Sequence, residues 1–218
     1  MAEIRTLFWD VGGVLLSNGW DRAERDRAVE RFALEAEEFE TRHERLIDAF
    51  ETNNISLDEY LRQTVFYRPR PFSPDEVRRF MFSQSRAFTE SLAIAEGLAR
   101  TQRYLMAAVN NESLELNIYR IRQFGLRDHF SAFYSSCFLG LRKPSVAIFE
   151  RALDFTQRDP AECIMIDDRP ENLEAPAALG MRTIRFRSAA QLREELARCG
   201  VDYTPPSGAC FPSPAPVY

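Results

Sequence analysis

Histidine and cysteine are scarce in this chain, and lysine is far outnumbered by arginine. The four cysteines, Cys137, Cys163, Cys199 and Cys210, stand far apart with no CxxC pair, which argues against a zinc site. Their usage suits a reducing cytoplasm, and the expected location is cytoplasmic. No apolar run is long enough to span a bilayer, and no basic leader precedes the first one, so neither a membrane span nor a signal peptide is expected. Positive charge is not in excess: the formal net charge is −5, which gives no electrostatic footprint for nucleic acid or an anionic membrane. What the chain does have is apolar content, 45% over 218 residues. That is normal for a soluble globular protein and excludes a disordered or fibrous class.

The first informative stretch is Leu7-Phe8-Trp9-Asp10-Val11-Gly12-Gly13-Val14. It is an apolar run broken by one acid and two glycines. Leu7 to Trp9 read as a buried strand, with Asp10 at its carboxyl end, where open α/β sheets place ligands. Gly12 and Gly13 allow a sharp turn and a close approach of backbone amides. From Trp20 to Phe88 the pattern is helical. Ala28, Phe32 and Leu34 suit one helix face, and Leu46, Ile47, Ala49 and Phe50 suit another. Ser56 to Glu59 and Ser73 to Glu76 read as capping boxes, the second with Pro74 at the first helical position. The charge run Asp21 to Arg27 reads as a solvated helix face, and His43, amid charges, as exposed.

After about Leu92, strands and helices alternate. Strands are expected at Tyr104–Val109, Ala132–Tyr134, Cys163–Ile166 and Arg182–Phe186. Helices are expected between them, and a last one over Ala189–Arg198. The fold class is therefore α/β, a doubly wound parallel sheet with a helical insertion after strand one. The expected organisation is a core of residues 1–16 and 92–200, an insertion of 17–91 and a Pro-rich tail of 201–218.

Three further polar clusters fall at strand ends. Asn110-Asn111 closes the second strand. Asp167-Asp168 closes the Cys163 strand, with Asn172 shortly after. Lys143-Pro144 is expected to open the helix after the Ala132 strand. Each has an ordinary alternative: helix caps for the asparagines and Asp167, a surface lysine for Lys143. Their convergence at one sheet edge points instead to a hard divalent cation held by oxygens, with a cationic side chain for an anionic substrate.

The order Asp-x-Gly-Gly-Val-Leu, an apolar strand ending in Asn, Gly-Leu-Arg-Lys-Pro-Ser-x-x-Ile-Phe, and Ile-Asp-Asp-x-x-x-Asn resembles the haloacid dehalogenase-like hydrolase superfamily. The insertion is similar to that superfamily's small α-helical cap. The nearest likeness is to the branch of sugar phosphatases and the N-terminal phosphatase domain of soluble epoxide hydrolase. The resemblance implies Asp10 as a nucleophile forming an aspartyl phosphate. It implies Mg²⁺ held by Asp10, the Gly12 carbonyl and Asp168, with waters completing the shell. Asp167 would orient Asp168 or its waters, and Asn172 would hold the same loop. Asn110, with Asn111 and the backbone around Gly12 and Gly13, would bind the transferring oxygens. Lys143 would neutralise charge between Asp10 and the phosphoryl group. The implied substrate is a small phosphorylated metabolite, with cap loops near Asn18, Trp20 and Asn53-Asn54 choosing the leaving group.

Two positions depart from the family pattern. Gly12 stands where many members carry an acid–base aspartate, a function worth typically about 10²–10⁴-fold in rate. Asn110 stands where Thr or Ser is usual. Gly12 predicts a preference for good leaving groups. It also keeps two alternatives open: a 2-haloacid dehalogenase, whose halide needs no protonation, and a catalytically weakened module that binds Mg²⁺ and phosphate.

Overall fold

A computed structural model describes residues 2–202 of the chain. Residues 203–218 of the expected Pro-rich tail, Cys210 among them, lie outside the described residues. Five parallel strands, β1 (Thr6–Trp9), β2 (Leu105–Ala108), β3 (Ala132–Phe133), β4 (Cys163–Asp167) and β5 (Arg182–Arg185), form one sheet in the order β3-β2-β1-β4-β5. The central strands β1, β2 and β4 are short, largely apolar runs buried on both faces, while the edge strands β3 and β5 are only partly covered. Alternate residues separate cleanly: Leu7, Trp9, Ile164 and Ile166 pack on one face, and Phe8, Cys163 and Met165 on the other. In register, Trp9 sits beside Ala108 and Ile166. The chain leaves β1 toward β2 on one side and returns to β4 on the other. The carboxyl ends of β1, β2 and β4 therefore frame a crevice at the switch point.

Helices cover both faces. Helices α5 (Thr89–Thr101), α6 (Leu114–Gln123) and α10 (Ala189–Arg198) lend Leu98, Ile121 and Leu192 to one core, while α8 (Val146–Thr156) and α9 (Glu171–Ala178) lend Phe149 and Leu173 to the other. A third core belongs to the inserted helices α1 (Arg22–Phe32), α2 (Ala36–Glu51), α3 (Leu57–Thr64) and α4 (Pro74–Ser83), with Phe39, Phe50, Tyr60, Leu61 and Met81 at its centre. A short helix, α7 (Ser136–Leu139), follows β3 and carries no sequence signal long enough to detect.

Local chemistry explains most boundaries. Ser73 and Glu76 form a reciprocal capping box with Pro74 in the first turn. Ser56 caps α3 through the Glu59 amide, but the Glu59 side chain turns to Arg62 and Gln63, so the reciprocal half is absent. Helix α1 stops at Phe32 because Ala33 adopts a left-handed conformation, so Leu34 packs from a loop rather than from the helix. Lys143-Pro144 does not open α8: Ser145 caps that helix and it begins at Val146. The Lys143 pair thus lies in the preceding loop, free to enter the crevice. The Asp21–Arg27 run is also less solvated than its charge suggests. Glu24 and Arg25 are buried, and Arg25 grips the Glu40 carboxylate with two nitrogens while donating to the Trp20 carbonyl.

Candidate active site

The backbone of Asp10 still pairs with β4, its N–H donating to the Ile166 carbonyl. Its side chain is thereby fixed at the sheet edge. One carboxylate oxygen, Oδ1, accepts from the Val11 N–H at 2.7 Å and lies 2.9 Å from Lys143 Nζ. Lys143, the chain's one lysine, is buried with its ammonium shared between Asp10 and Asp167, the latter at 2.6 Å. Ligand oxygens of Asp10, Asp167 and Asp168 all lie within 4.8 Å of one another. Three carboxylates at this separation repel strongly unless cations offset them.

These acids do different things. Asp167 is fully engaged: Oδ1 accepts from the Arg169 N–H and Asn172 Nδ2, and Oδ2 from Lys143 and Asn172. Its side chain thereby ties Lys143 to the turn into α9. Asn172 does hold this loop, through both oxygens of Asp167. Asp168 is half-buried, and its Oδ1 has no hydrogen-bond partner. An orphaned carboxylate oxygen beside two further acids is a donor set that fits a hard cation. Burial pushes the Asp10 carboxyl up to about 7, against the pull of Lys143. Burial, with Asp167 next, also raises Asp168. For Lys143, burial opposes the charge, but Asp10 and Asp167 outweigh it and hold the ammonium above its ordinary value.

Gly13 makes the approach possible. It has φ +75°, and an added Cβ would lie 2.3 Å from Asp168 Oδ2. Its amide is not available to a ligand, since it donates to the Leu16 carbonyl in closing the turn. Gly12 does line the cavity.

Asn110 and Asn111 differ from expectation. Asn110 Nδ2 donates to Asn117 Oδ1, and its Oδ1 accepts from the Ser135 hydroxyl at 2.7 Å. Its side chain is spent on α6 and on the turn after β3, not on the cavity. Asn111 clamps the Lys143 backbone with both amide atoms, accepting its N–H at 2.8 Å and donating to its carbonyl at 2.9 Å. Asn111 thus places the lysine loop.

A cavity of about 290 Å³ opens from Asp10, Gly12, Asn111 and Lys143 toward the inserted helices. Asn18 and Trp20 line it; Asn53 and Asn54 are exposed and do not. Its far wall holds residues that sequence reading missed, including His43, Glu51, Arg142 and Arg169. Contrary to expectation, His43 is buried, 5% exposed. Trp20 Nε1 can only donate, and it donates to the Tyr60 hydroxyl at 2.9 Å. The Tyr60 oxygen in turn lies 2.8 Å from His43 Nδ1. Burial first, then Arg25, holds the His43 imidazole down to about 3, so it stays neutral. A signal existed: Phe39, His43 and Phe50 fall on one face of α2 at helical spacing.

Core and insertion meet across the cavity mouth through ion pairs. Arg169 pairs with Asp21, and Arg142 pairs with both Asp48 and Glu51. Burial raises the Glu51 carboxyl to about 7, against the opposing pull of Arg142.

Sheet order, switch-point crevice and clustered acids define a wound α/β protein whose candidate chemistry lies at the β1 and β4 ends. The family model for haloacid dehalogenase-like hydrolases matches residues 4–180, and the chain belongs to that family. Flavin mononucleotide hydrolase 1 of Arabidopsis thaliana, a chloroplast protein by name, is 26% identical over 167 residues, covering 77% of this chain and 67% of that one. Bifunctional epoxide hydrolase 2 of Sus scrofa is 36% identical over 93 residues, 40% of this chain, and the match spans only 17% of that protein. Among solved structures, a HAD family enzyme of Bacteroides thetaiotaomicron superposes with a TM-score of 0.74 at 22% identity, covering 85% of this chain and 95% of that one. The same enzyme has been crystallised with magnesium and inorganic phosphate, a form that superposes at 0.69 and 22% identity, covering 84% and 94% of the two chains. No helix among the described residues is long and apolar enough to cross a membrane.

Proposed function

We propose that this chain is a Mg²⁺-dependent phosphatase of small phosphorylated metabolites, working through phosphoryl transfer to Asp10. The observation that carries this reading is the pairing of a lysine-bridged carboxylate, Asp10, with a neighbouring acid, Asp168, whose Oδ1 is unsatisfied. The phosphate complex of the Bacteroides enzyme and the name of the Arabidopsis relative point the same way. In this reading Asp10, Asp168 and the Gly12 carbonyl hold the ion, and residues 17–91 act as a cap. When bound, Mg²⁺ supplies positive charge to the phosphoryl oxygens.

The chain's own residues set up the transfer. Val11 and Lys143 both engage Asp10 Oδ1, which leaves Oδ2 to attack phosphorus. Lys143 offsets the mutual repulsion of carboxylate and phosphoryl group, and Asp167 with Asn172 fixes its ammonium. Asn111 fixes its backbone. The Asp10 oxygen–phosphorus bond forms as the bond to the leaving oxygen breaks, and water then releases inorganic phosphate and restores the carboxylate.

A dehalogenase would need no cation, so the unpartnered Asp168 oxygen favours the phosphatase. The test is a screen of phosphorylated metabolites with Mg²⁺, with and without chelator. Phosphate release that chelation abolishes supports the reading; halide release that survives chelation refutes it.

A further inference from the structure

Position 12 offers no acid, so either the leaving group departs unprotonated or another residue supplies the proton. Four other carboxyls line the cavity, Asp21, Glu51, Glu112 and Glu171. Asp21 caps α1 and pairs with Arg169, and Glu171 is solvent-exposed at the start of α9. Glu112 is committed: Oε2 holds Arg120 at 2.7 Å and Oε1 accepts the Ser113 N–H. Glu51 is placed differently. It ends α2, and its backbone carbonyl, an orphan acceptor at a helix end, takes the Ser136 hydroxyl at 2.7 Å. Ser136 in turn donates its N–H to the Asn110 carbonyl and accepts the Glu112 N–H. The last turn of an inserted helix is thus fastened directly to the strand-end loop of the site. The Glu51 side chain is 18% exposed, and its Oε2 lies 2.7 Å from Arg142 Nη2 without hydrogen-bond alignment. Arg142 divides its charge between Glu51 and Asp48 and immediately precedes Lys143.

We propose that the Glu51 carboxyl protonates the leaving oxygen and then activates the hydrolytic water, supplying from the inserted helices the acid–base group that Gly12 cannot. The inference rests on the phosphatase reading. In the first step Asp10 takes the phosphoryl group, the phosphorus–oxygen bond breaks, and the leaving oxygen receives the Glu51 proton. In the second, the Glu51 carboxylate takes a proton from water as that water attacks phosphorus. Inorganic phosphate leaves, the Asp10 carboxylate returns, and Glu51 is protonated again. The charged groups facing Glu51 are Arg142 and Arg169, which favour its anion, and Glu112, which opposes it. Burial, with Glu112, outweighs the two arginines and keeps the carboxyl near 7, where it can both give and take a proton.

The test compares the full-length wild type with Glu51→Gln and Glu51→Asp, all with Mg²⁺, on aryl phosphates from p-nitrophenyl to phenyl phosphate. The expected result for Glu51→Gln is about a 10²-fold or greater loss on phenyl phosphate. On p-nitrophenyl phosphate it should give a stoichiometric burst followed by slow turnover, because the phosphorylated enzyme accumulates. Glu51→Asp should restore part of the phenyl phosphate rate. The wild-type single-turnover phosphorylation rate on phenyl phosphate should fall above about pH 7, and this limb should vanish in Glu51→Gln. An active wild type whose leaving-group dependence is unchanged in a folded Glu51→Gln, with no burst, overturns the role of Glu51 and leaves the phosphatase reading intact. A wild type that releases no phosphate from the series overturns both.

Discussion

Replacing Lys143 with methionine tests the electrostatic design of the site through stability as well as rate. The ammonium is 1% exposed and sits 2.9 Å from Asp10 and 2.6 Å from Asp167, whose side chain is fully buried. Lys143→Met keeps the length of the side chain and removes only the charge and its hydrogen bonds. It leaves two carboxylates facing each other in a site that admits little water. Breaking one partner out of a buried ion pair costs about 3–5 kcal/mol. With a urea dependence of about 2 kcal/mol per molar, the unfolding midpoint should fall by roughly 1.5–2.5 M. The assay is urea unfolding at pH 7 in chelator, for wild type, Lys143→Met, Asp167→Asn and the double variant. Asp167→Asn removes the charge that Lys143 neutralises, so the double variant should be less destabilised than the two single losses added together, by about 1–3 kcal/mol. Phosphate turnover by Lys143→Met should fall by about 10²–10³-fold. A midpoint that stays within about 0.3 M of wild type, with additive effects in the cycle, would refute the argument that Lys143 is the cation this cluster requires.

Other expectations follow from single contacts. His43 has a folded pKa of about 3 against an ordinary 6.5. As pH falls below 6.5 the unfolded chain takes up a proton that the folded chain refuses, so stability is lost toward pH 3 at about 1.4 kcal/mol per unit. By pH 5 the loss is about 2 kcal/mol relative to His43→Asn, measured by urea unfolding at both pH values; the raised carboxyls of Glu51 and Asp10 act in the opposite sense and cancel in that comparison. Gly13→Ala should lower the melting temperature and weaken Mg²⁺-dependent stabilisation, because its Cβ would collide with Asp168 at a left-handed φ. Gly12→Asp should raise turnover of alkyl phosphates less than about tenfold: a Cβ there would crowd Asn18 Oδ1 at 3.0 Å, so the new acid enters only by displacing that part of the cavity wall.

The central strands were legible because they are short buried runs such as Phe8-Trp9 and Ile164-Met165-Ile166, each followed by a polar residue. The same pattern disclosed Asp10, Lys143, Asp167 and Asp168 as neighbours, since parallel strands deliver their carboxyl ends to one edge. Side-chain direction was not legible. Asn110 and Asn111 stand at the right edge, yet one turns toward Asn117 and the other clasps the Lys143 backbone. Charge misled in the insertion. Arg25 and His43 look like solvent residues in a linear chain, and only tertiary partners, Glu40 and Tyr60, allow their burial. The far wall of the cavity was invisible for the same reason: Glu51 and Arg142 meet only when the insertion folds back over β3 and the loop beyond it.

The most direct test is to look for a phosphorylated aspartate. Wild type should be incubated with Mg²⁺ and a phosphorus-labelled substrate from the screen, quenched in acid and mapped by peptide mass. The account predicts label on Asp10, lost in Asp10→Asn and in chelator. Label elsewhere, or undiminished turnover by Asp10→Asn, would contradict it.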